Sequence, residues 1–222
     1  MPATLDLADH AGRDDLRIYL ERLARAGRSE VRLVVRGDVL AVFGCTQAPE
    51  SLTDPVPVVL VLRSFSLARP PEEAVDIVVT VRSLLDRIAR LGVLGRGLEL
   101  PEATVTAAWA GVLPPHRGWE PAGAIDAASL AAVAEQAMAR VAEALPDSPG
   151  DAVVRRVRNA VWGSEIAPGI PAAAAFAAEA MGFLGGSGDE RRTPGVVRVS
   201  STLTWRRLAA EHGEVLVRTL LG

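Results

Sequence analysis

Lysine is missing from the chain altogether: all 24 basic residues among the 222 are arginine. Asparagine occurs once, at Asn159, while alanine, glycine, valine and proline are plentiful. Lysine and asparagine have A/T-rich codons, so the plain reading is a gene of high G+C content. Arginine then does the solubilising work that lysine ordinarily shares, and an arginine cluster counts for less as a binding signal. Aromatic residues are scarce at 4%, which leaves Val, Leu and Ala to build the core and permits close helix packing. The single cysteine, Cys45, excludes an intrachain disulfide and suits a reducing compartment. It ends an apolar run with no cation beside it, which reads as a buried structural thiol.

Long hydrophobic runs are lacking as well. The longest, Val56 to Leu62, is far too short to span a bilayer. Met1 to Asp15 is acidic, with neither a basic n-region nor an apolar core, so no signal peptide is expected and a cytoplasmic location is. Basic charge is not in excess: a net charge of −3 and a pI near 5.7 disfavour general nucleic-acid binding. His10, Cys45, His116 and His212 have no ligand-like spacing, so neither a metal site nor a cofactor is expected. There is no Walker loop, dinucleotide fingerprint, zinc-protease helix or nucleophile elbow. Gly182, Gly185, Gly186 and Gly188 follow a helical stretch instead of opening one, which is the wrong end for a phosphate cradle.

What is present is ordinary globular material, 49% hydrophobic and 23% charged. A chain of this length buries roughly 70% of its unfolded surface. Leu16, Tyr19, Leu20 and Leu23 keep helical spacing after Asp14 and Asp15, and Gly27 stops the helix. Val31 to Arg36 and Val39 to Cys45 read as strands of a hairpin turned at Gly37-Asp38, followed by a third strand over Val56 to Phe65. Between them lies a proline-rich connection, Ala48 to Pro55. Pro70 to Glu73 resembles a helix start, and the spacing of Val75, Val78, Leu85, Ile88 and Leu91 predicts a helix to about Leu91, although Val78 to Val81 also suits a strand. Thr104 to Ala110 alternates weakly, as a strand does.

After a Pro/Gly loop from Leu113 to Gly123, Asp126 is the expected N-cap of a helix that buries Leu130, Val133, Ala137, Val141 and Leu145. Asp151 caps a further helix to Trp162, and Ala172 to Phe183 forms another made almost wholly of small residues. The chain closes on strands at Val196 to Ser200, near Leu203 to Leu208 and at Glu214 to Thr219, with a turn at Glu211 to Gly213. That order implies a single α+β domain over residues 1–222, an antiparallel sheet made from the N-terminal meander and the C-terminal hairpin under a helical layer. Thr204 to Gly213 imitates the start of a helix-turn-helix, but too little chain follows for a recognition helix.

Two constellations carry chemistry. In the loop from Leu113 to Pro121, His116 can serve as acid or base beside Arg117 as an anion clamp, Trp119 as a stacking surface and Glu120. The alternative is that Trp119 plugs the loop against the core while His116 and Arg117 face water. On the helix ending at Trp162, Arg155, Arg158, Asn159 and Trp162 share a face opposite Val153, Val154, Val157 and Val161. That face binds an anion or a partner, or it is a solvated face on which arginine covers a tryptophan.

The run Leu113-Pro114-Pro115-His116-Arg117-Gly118-Trp119-Glu120-Pro121-Ala122-Gly123, with the alanine-rich helix and the closing hairpin, resembles a family of uncharacterised actinobacterial proteins. The resemblance implies a stand-alone cytoplasmic protein and assigns no activity. Three functions stay open. The first is a non-catalytic protein that forms a homo-oligomer or binds a protein partner, motivated by the missing catalytic set and by the alanine-rich helix, which lies either in the core or against a symmetry mate. The second is an enzyme or small-molecule binder using His116, Arg117, Trp119 and Glu120, joined by Arg158 and Trp162. The third is nucleic-acid binding through Arg155, Arg156 and Arg158.

Overall fold

A computed structural model of the chain describes residues 3–49, 54, 56–146, 150–185 and 195–218. Most of the proline-rich connection after Ala48, Gly186 and Gly188 of the glycine run, and Thr219 of the last strand lie outside the described residues. The chain divides into two compact units, residues 1–46 with 62–113, and residues 47–61 with 114–222.

The first unit runs β1 (Thr4–Asp6), α1 (His10–Arg25), β2 (Glu30–Arg36), β3 (Val39–Gln47), β4 (Val58–Ser66), β5 (Asp76–Thr80), α2 (Val81–Arg90) and β6 (Gly97–Glu99). Strand β4 begins in the second unit and ends in the first. Here the sheet order is β5-β2-β3-β4, and β1 and β6 form a separate antiparallel pair. The expected hairpin is present: Arg36 faces Val39 across a two-residue turn whose Gly37 has a positive φ of 59°. Helix α1 starts earlier than expected because Asp9, not Asp14, caps it, its carboxylate accepting from the Gly12 N–H at 2.7 Å. The face Leu16, Tyr19, Leu20 and Leu23 is buried as its spacing requires. Tyr19 anchors α1 to the sheet, its hydroxyl donating to the Val42 carbonyl at 3.1 Å and its ring meeting Phe65 edge-on. Burial pushes the Tyr19 phenol well above its ordinary range, so it stays neutral.

Two expectations in this unit are corrected. The segment from Pro70 does not form a continuous helix: β5 pairs with β2 over Asp76 to Thr80, and the helix begins only at Val81. The β-branched run Ile77-Val78-Val79 found a strand partner, and Thr80 then caps α2 by accepting from the Ser83 N–H. Thr104 to Ala110 is not a strand. It makes one bond to β5, from the Val105 N–H to the Val78 carbonyl, and then turns as a 3-10 helix over Ala108–Gly111. The Ala110 carbonyl is taken by the Arg32 guanidinium, which also grips Asp76 through two bonds of 2.7 and 2.8 Å. That grip holds the Asp76 carboxyl below its usual range.

The second unit continues with β7 (Glu120–Asp126), α3 (Ala127–Ala144), α4 (Asp151–Trp162), β8 (Glu165–Ala167), β9 (Ile170–Pro171), α5 (Ala172–Ala180), β10 (Val196–Ser201), β11 (Trp205–Ala210) and β12 (Gly213–Arg218). Its sheet order is β4-β12-β11-β10-β7, with β8 and β9 a small separate hairpin. Asp126 caps α3 as expected, accepting from the Ser129 N–H at 2.8 Å. The buried stripe of α3 is Ala127, Leu130, Ala134, Ala137 and Val141, while Val133 and Leu145 sit at its margin. The alanine-rich helix is core: Ala172, Ala173, Ala174, Ala175, Ala177 and Ala178 of α5 are all buried, against α3 and β12. Trp205 and Leu208 of β11 and Val215 and Val217 of β12 are buried in a hairpin, which rules out a helix-turn-helix over that segment. The α+β architecture expected from the order of elements is the one observed, an antiparallel sheet with helices packed on it.

One contact locks α5 to the closing hairpin. Phe183, 1% exposed, lies where a Cβ on Gly213 would sit, only 2.3 Å from its ring. Gly213→Ala is expected to lower stability by about 1–3 kcal/mol through overpacking. Thermal melts of the two proteins check this, and an unchanged midpoint would contradict it.

Candidate functional site

The loop His116 to Glu120 meets β11 at Trp119. The indole Nε1 donates back to the Pro115 carbonyl at 2.8 Å, closing the loop on itself, and Gly118 supplies the positive φ of 80° that the bend requires. Arg207 of β11 lies over the indole, its guanidinium carbon 4.6 Å from the ring centroid. The same guanidinium donates to the Ser200 hydroxyl at 3.0 Å. Strand register places Arg198, Ala209 and Glu214 side by side, next to the Ser200-Arg207 pair. Trp119, Arg198, Ser200, Arg207 and Glu214 thus form one cluster that aromatic stacking and cross-strand pairing hold in place.

Of the residues expected from the sequence, His116, Arg117 and Glu120 are exposed on the loop and at the start of β7. Trp119 is engaged by Arg207 and not by its neighbour Arg117. Arg155 and Arg158 are exposed on α4, a helix with no buried residue. Trp162, a turn after Arg158, stacks on Phe176 of α5, with centroids 4.7 Å apart. Asn159, from the same face, donates to the Asp54 carboxylate at 3.2 Å. The structure therefore joins Trp119 to Arg207 and Trp162 to Phe176. Arg198, Ser200, Arg207 and Glu214 were not among the expected residues. Their signal was weak but present: polar residues on three successive strands, Arg198 and Ser200 at alternate positions of β10, Arg207 on β11 and Glu214 on β12.

A cavity of about 730 Å³ opens between α3, the end of α5, and strands β10 and β11. Its described lining is apolar on α3 (Ala128, Ala131, Ala132) and on β10 and β11, with three carboxylates, Glu135, Glu179 and Glu211, against one guanidinium, Arg198. None of His116, Arg117, Trp119, Glu120, Arg155, Arg158 and Trp162 is among those residues. Among the described residues no group of three or more His, Cys, Asp or Glu is placed to hold a metal ion, and no helix is long and apolar enough to cross a membrane.

Residues 1–111 match the family described as Domain of unknown function (DUF8010), and residues 114–222 match the Domain of unknown function (DUF8185). No curated protein matches the chain. Among solved structures it is similar to a DNA polymerase sliding clamp from Pseudomonas aeruginosa with ligand, at 14% identity and a TM-score of 0.54, over 99% of this chain and 65% of that one. It is equally similar to a sliding clamp (DNA polymerase III subunit beta) from Bartonella birtlesii bound to griselimycin, at 12% identity and a TM-score of 0.54, again over 99% and 65%. The chain thus spans 65% of the length of these clamps, and at such identity the likeness is one of fold.

Glu214 gives the cluster a measurable signature. Burial pushes its carboxyl above the ordinary range, and Arg207 and Arg198 only partly offset this. The folded state then holds this proton more tightly than the unfolded state, so stability falls as pH rises from the ordinary carboxylate value through the raised one. Glu214→Gln is expected to stabilise the protein at neutral pH and to change nothing at about pH 3.5, below the ordinary Glu value. Urea unfolding at the two pH values checks it. Destabilisation at neutral pH would mean that the two arginines outweigh burial.

Proposed function

The chain belongs to the family described as Domain of unknown function (DUF8010), and from that premise we propose that it is a non-catalytic protein whose work is association, with copies of itself or with a protein partner. The observation that carries this is the set of large apolar side chains left in water: Val93 at 82%, Leu94 at 84%, Val196 at 63% and Leu203 at 85% exposure. Isolated exposed apolar residues are ordinary, but Val93 and Leu94 are adjacent on one loop. The alanine-rich helix that first motivated self-association is buried, so the support now rests on these residues. The fold is compatible with the role, since the Bartonella birtlesii protein is named as a subunit, and so as part of an assembly.

A small-molecule site at His116, Arg117, Trp119 and Glu120 is the second reading, supported by the Trp119-Arg207 stack. Nucleic-acid binding at Arg155, Arg156 and Arg158 is supported by their exposure on α4 and opposed by the net charge of −3. A cytoplasmic location fits the single cysteine, and an actinobacterial source fits the all-arginine composition. A single cooperative domain fits a β4 strand that belongs to both units.

Sedimentation velocity over a range of concentrations tests the association reading. The weight-average mass is expected to climb above the 23.4 kDa of one chain as concentration rises. A mass fixed at one chain throughout removes self-association and leaves a foreign protein as the partner.

A further inference from the structure

The association proposed above leaves its geometry open, and two features of the chain supply one. The first is the loop between α2 and β6, Arg90-Leu91-Gly92-Val93-Leu94-Gly95-Arg96. Its carbonyls are gathered inward by one side chain: Nη1 of Arg13 donates to Gly92, Val93 and Gly95 at 2.9, 2.8 and 3.2 Å. His10 Nε2 lies 3.3 Å from the Leu94 carbonyl. The Arg13 side chain is only 11% exposed, and its remaining donors are held by Asp14. Gly92 takes a positive φ of 63°, and a Cβ on Gly95 would fall 2.3 Å from the Leu91 carbonyl oxygen. Carbonyls turned inward leave Val93 and Leu94 pointing out, more than four-fifths exposed. The result is a pre-organised apolar knob, flanked by the exposed Arg90 and Arg96. Asp9 is engaged in capping α1 and Asp14 is paired with Arg13.

The second feature is the 730 Å³ cavity of the other unit, whose described lining mixes small apolar side chains with three carboxylates and one guanidinium. It has room for two aliphatic side chains, and its charge is opposite to that of the arginines flanking the knob. We propose that the Val93-Leu94 knob of one copy docks into the Glu135-Glu179-Glu211 cavity of a second copy, making a head-to-tail contact. Each copy then offers one knob and one cavity, so the contact is heterologous and propagates into a ring or an open chain. Apolar burial supplies the attraction, and the opposed charges set orientation and make the contact sensitive to salt.

The experiment is sedimentation velocity on the full chain, two knob variants and one cavity variant, alone and mixed. Leu94→Glu removes the knob, and Leu94→Gln repeats the test without adding charge. Both change a solvent-exposed side chain, so thermal melts should match the parent. Ala132→Arg with Glu135→Arg, both on the exposed side of α3, blocks the cavity. Each variant alone is expected to associate more weakly by roughly tenfold or more. An equimolar mixture of knob variant and cavity variant should recover a two-chain species, because the intact knob of one fits the intact cavity of the other, and growth should stop there. If the parent assembles and Leu94→Glu assembles equally well, or if the mixture stays monomeric, the head-to-tail contact is wrong while self-association stands. If the parent never assembles, both fall.

Discussion

The second unit depends on how closely α5 can approach its neighbours. With aromatics at 4%, the chain fills its core with small residues, and six alanines of α5 are buried where α3 and β12 close on the helix. Alanine contributes little transfer energy, but it brings backbones near enough for dispersion contacts along the whole helix. Around that approach the other features of the unit fall into place. Phe183 follows α5 and fills the space left by Gly213, and Phe176 offers the face on which Trp162 stacks. Larger residues along α5 would push the hairpin away, and Gly213 is the position where that tightness is most visible.

This packing has a functional consequence. A helix spent on the core is unavailable for an interface, so the association we propose would use what is left outside. Among the described residues the exposed features include the arginine-bearing α4, the apolar loop clamped by Arg13, the apolar Val196 and Leu203, and the acid-lined cavity beside α3. The Trp119-Arg207 stack and the Glu214 carboxyl, by contrast, are tied into the sheet face. The Trp119-Arg207 stack holds the Pro/Gly loop from Leu113 to Gly123 against β11.

Local chemistry was legible in the sequence. The buried face of α1, the Gly37-Asp38 hairpin, the Asp126 cap and the closing hairpin all follow from spacing and turn residues within a few positions. Long-range partners were not. Val78 to Val81 reads as helix or strand until β2 is there to pair with Asp76 to Thr80, and the Ala110 carbonyl is taken by Arg32, 78 residues away. The same limit governs the sites. His116, Arg117, Trp119 and Glu120 were recognisable as a polar loop, yet the cation over Trp119 comes from Arg207, and the donor that shapes the Val93-Leu94 loop comes from Arg13, about 80 positions away. Neither pairing leaves a mark at fixed spacing.

The central claim is that α5 closes the core and that association uses other surfaces. Amide hydrogen exchange at two protein concentrations tests it most directly. The account predicts that amides of Ala172–Ala180 are slow and identical at both concentrations, whereas protection in residues 90–96 and on α3 near Glu135 increases as the protein assembles. Protection of α5 that rises with concentration, with no change at Val93 and Leu94, would place the interface on the alanine helix and contradict the account.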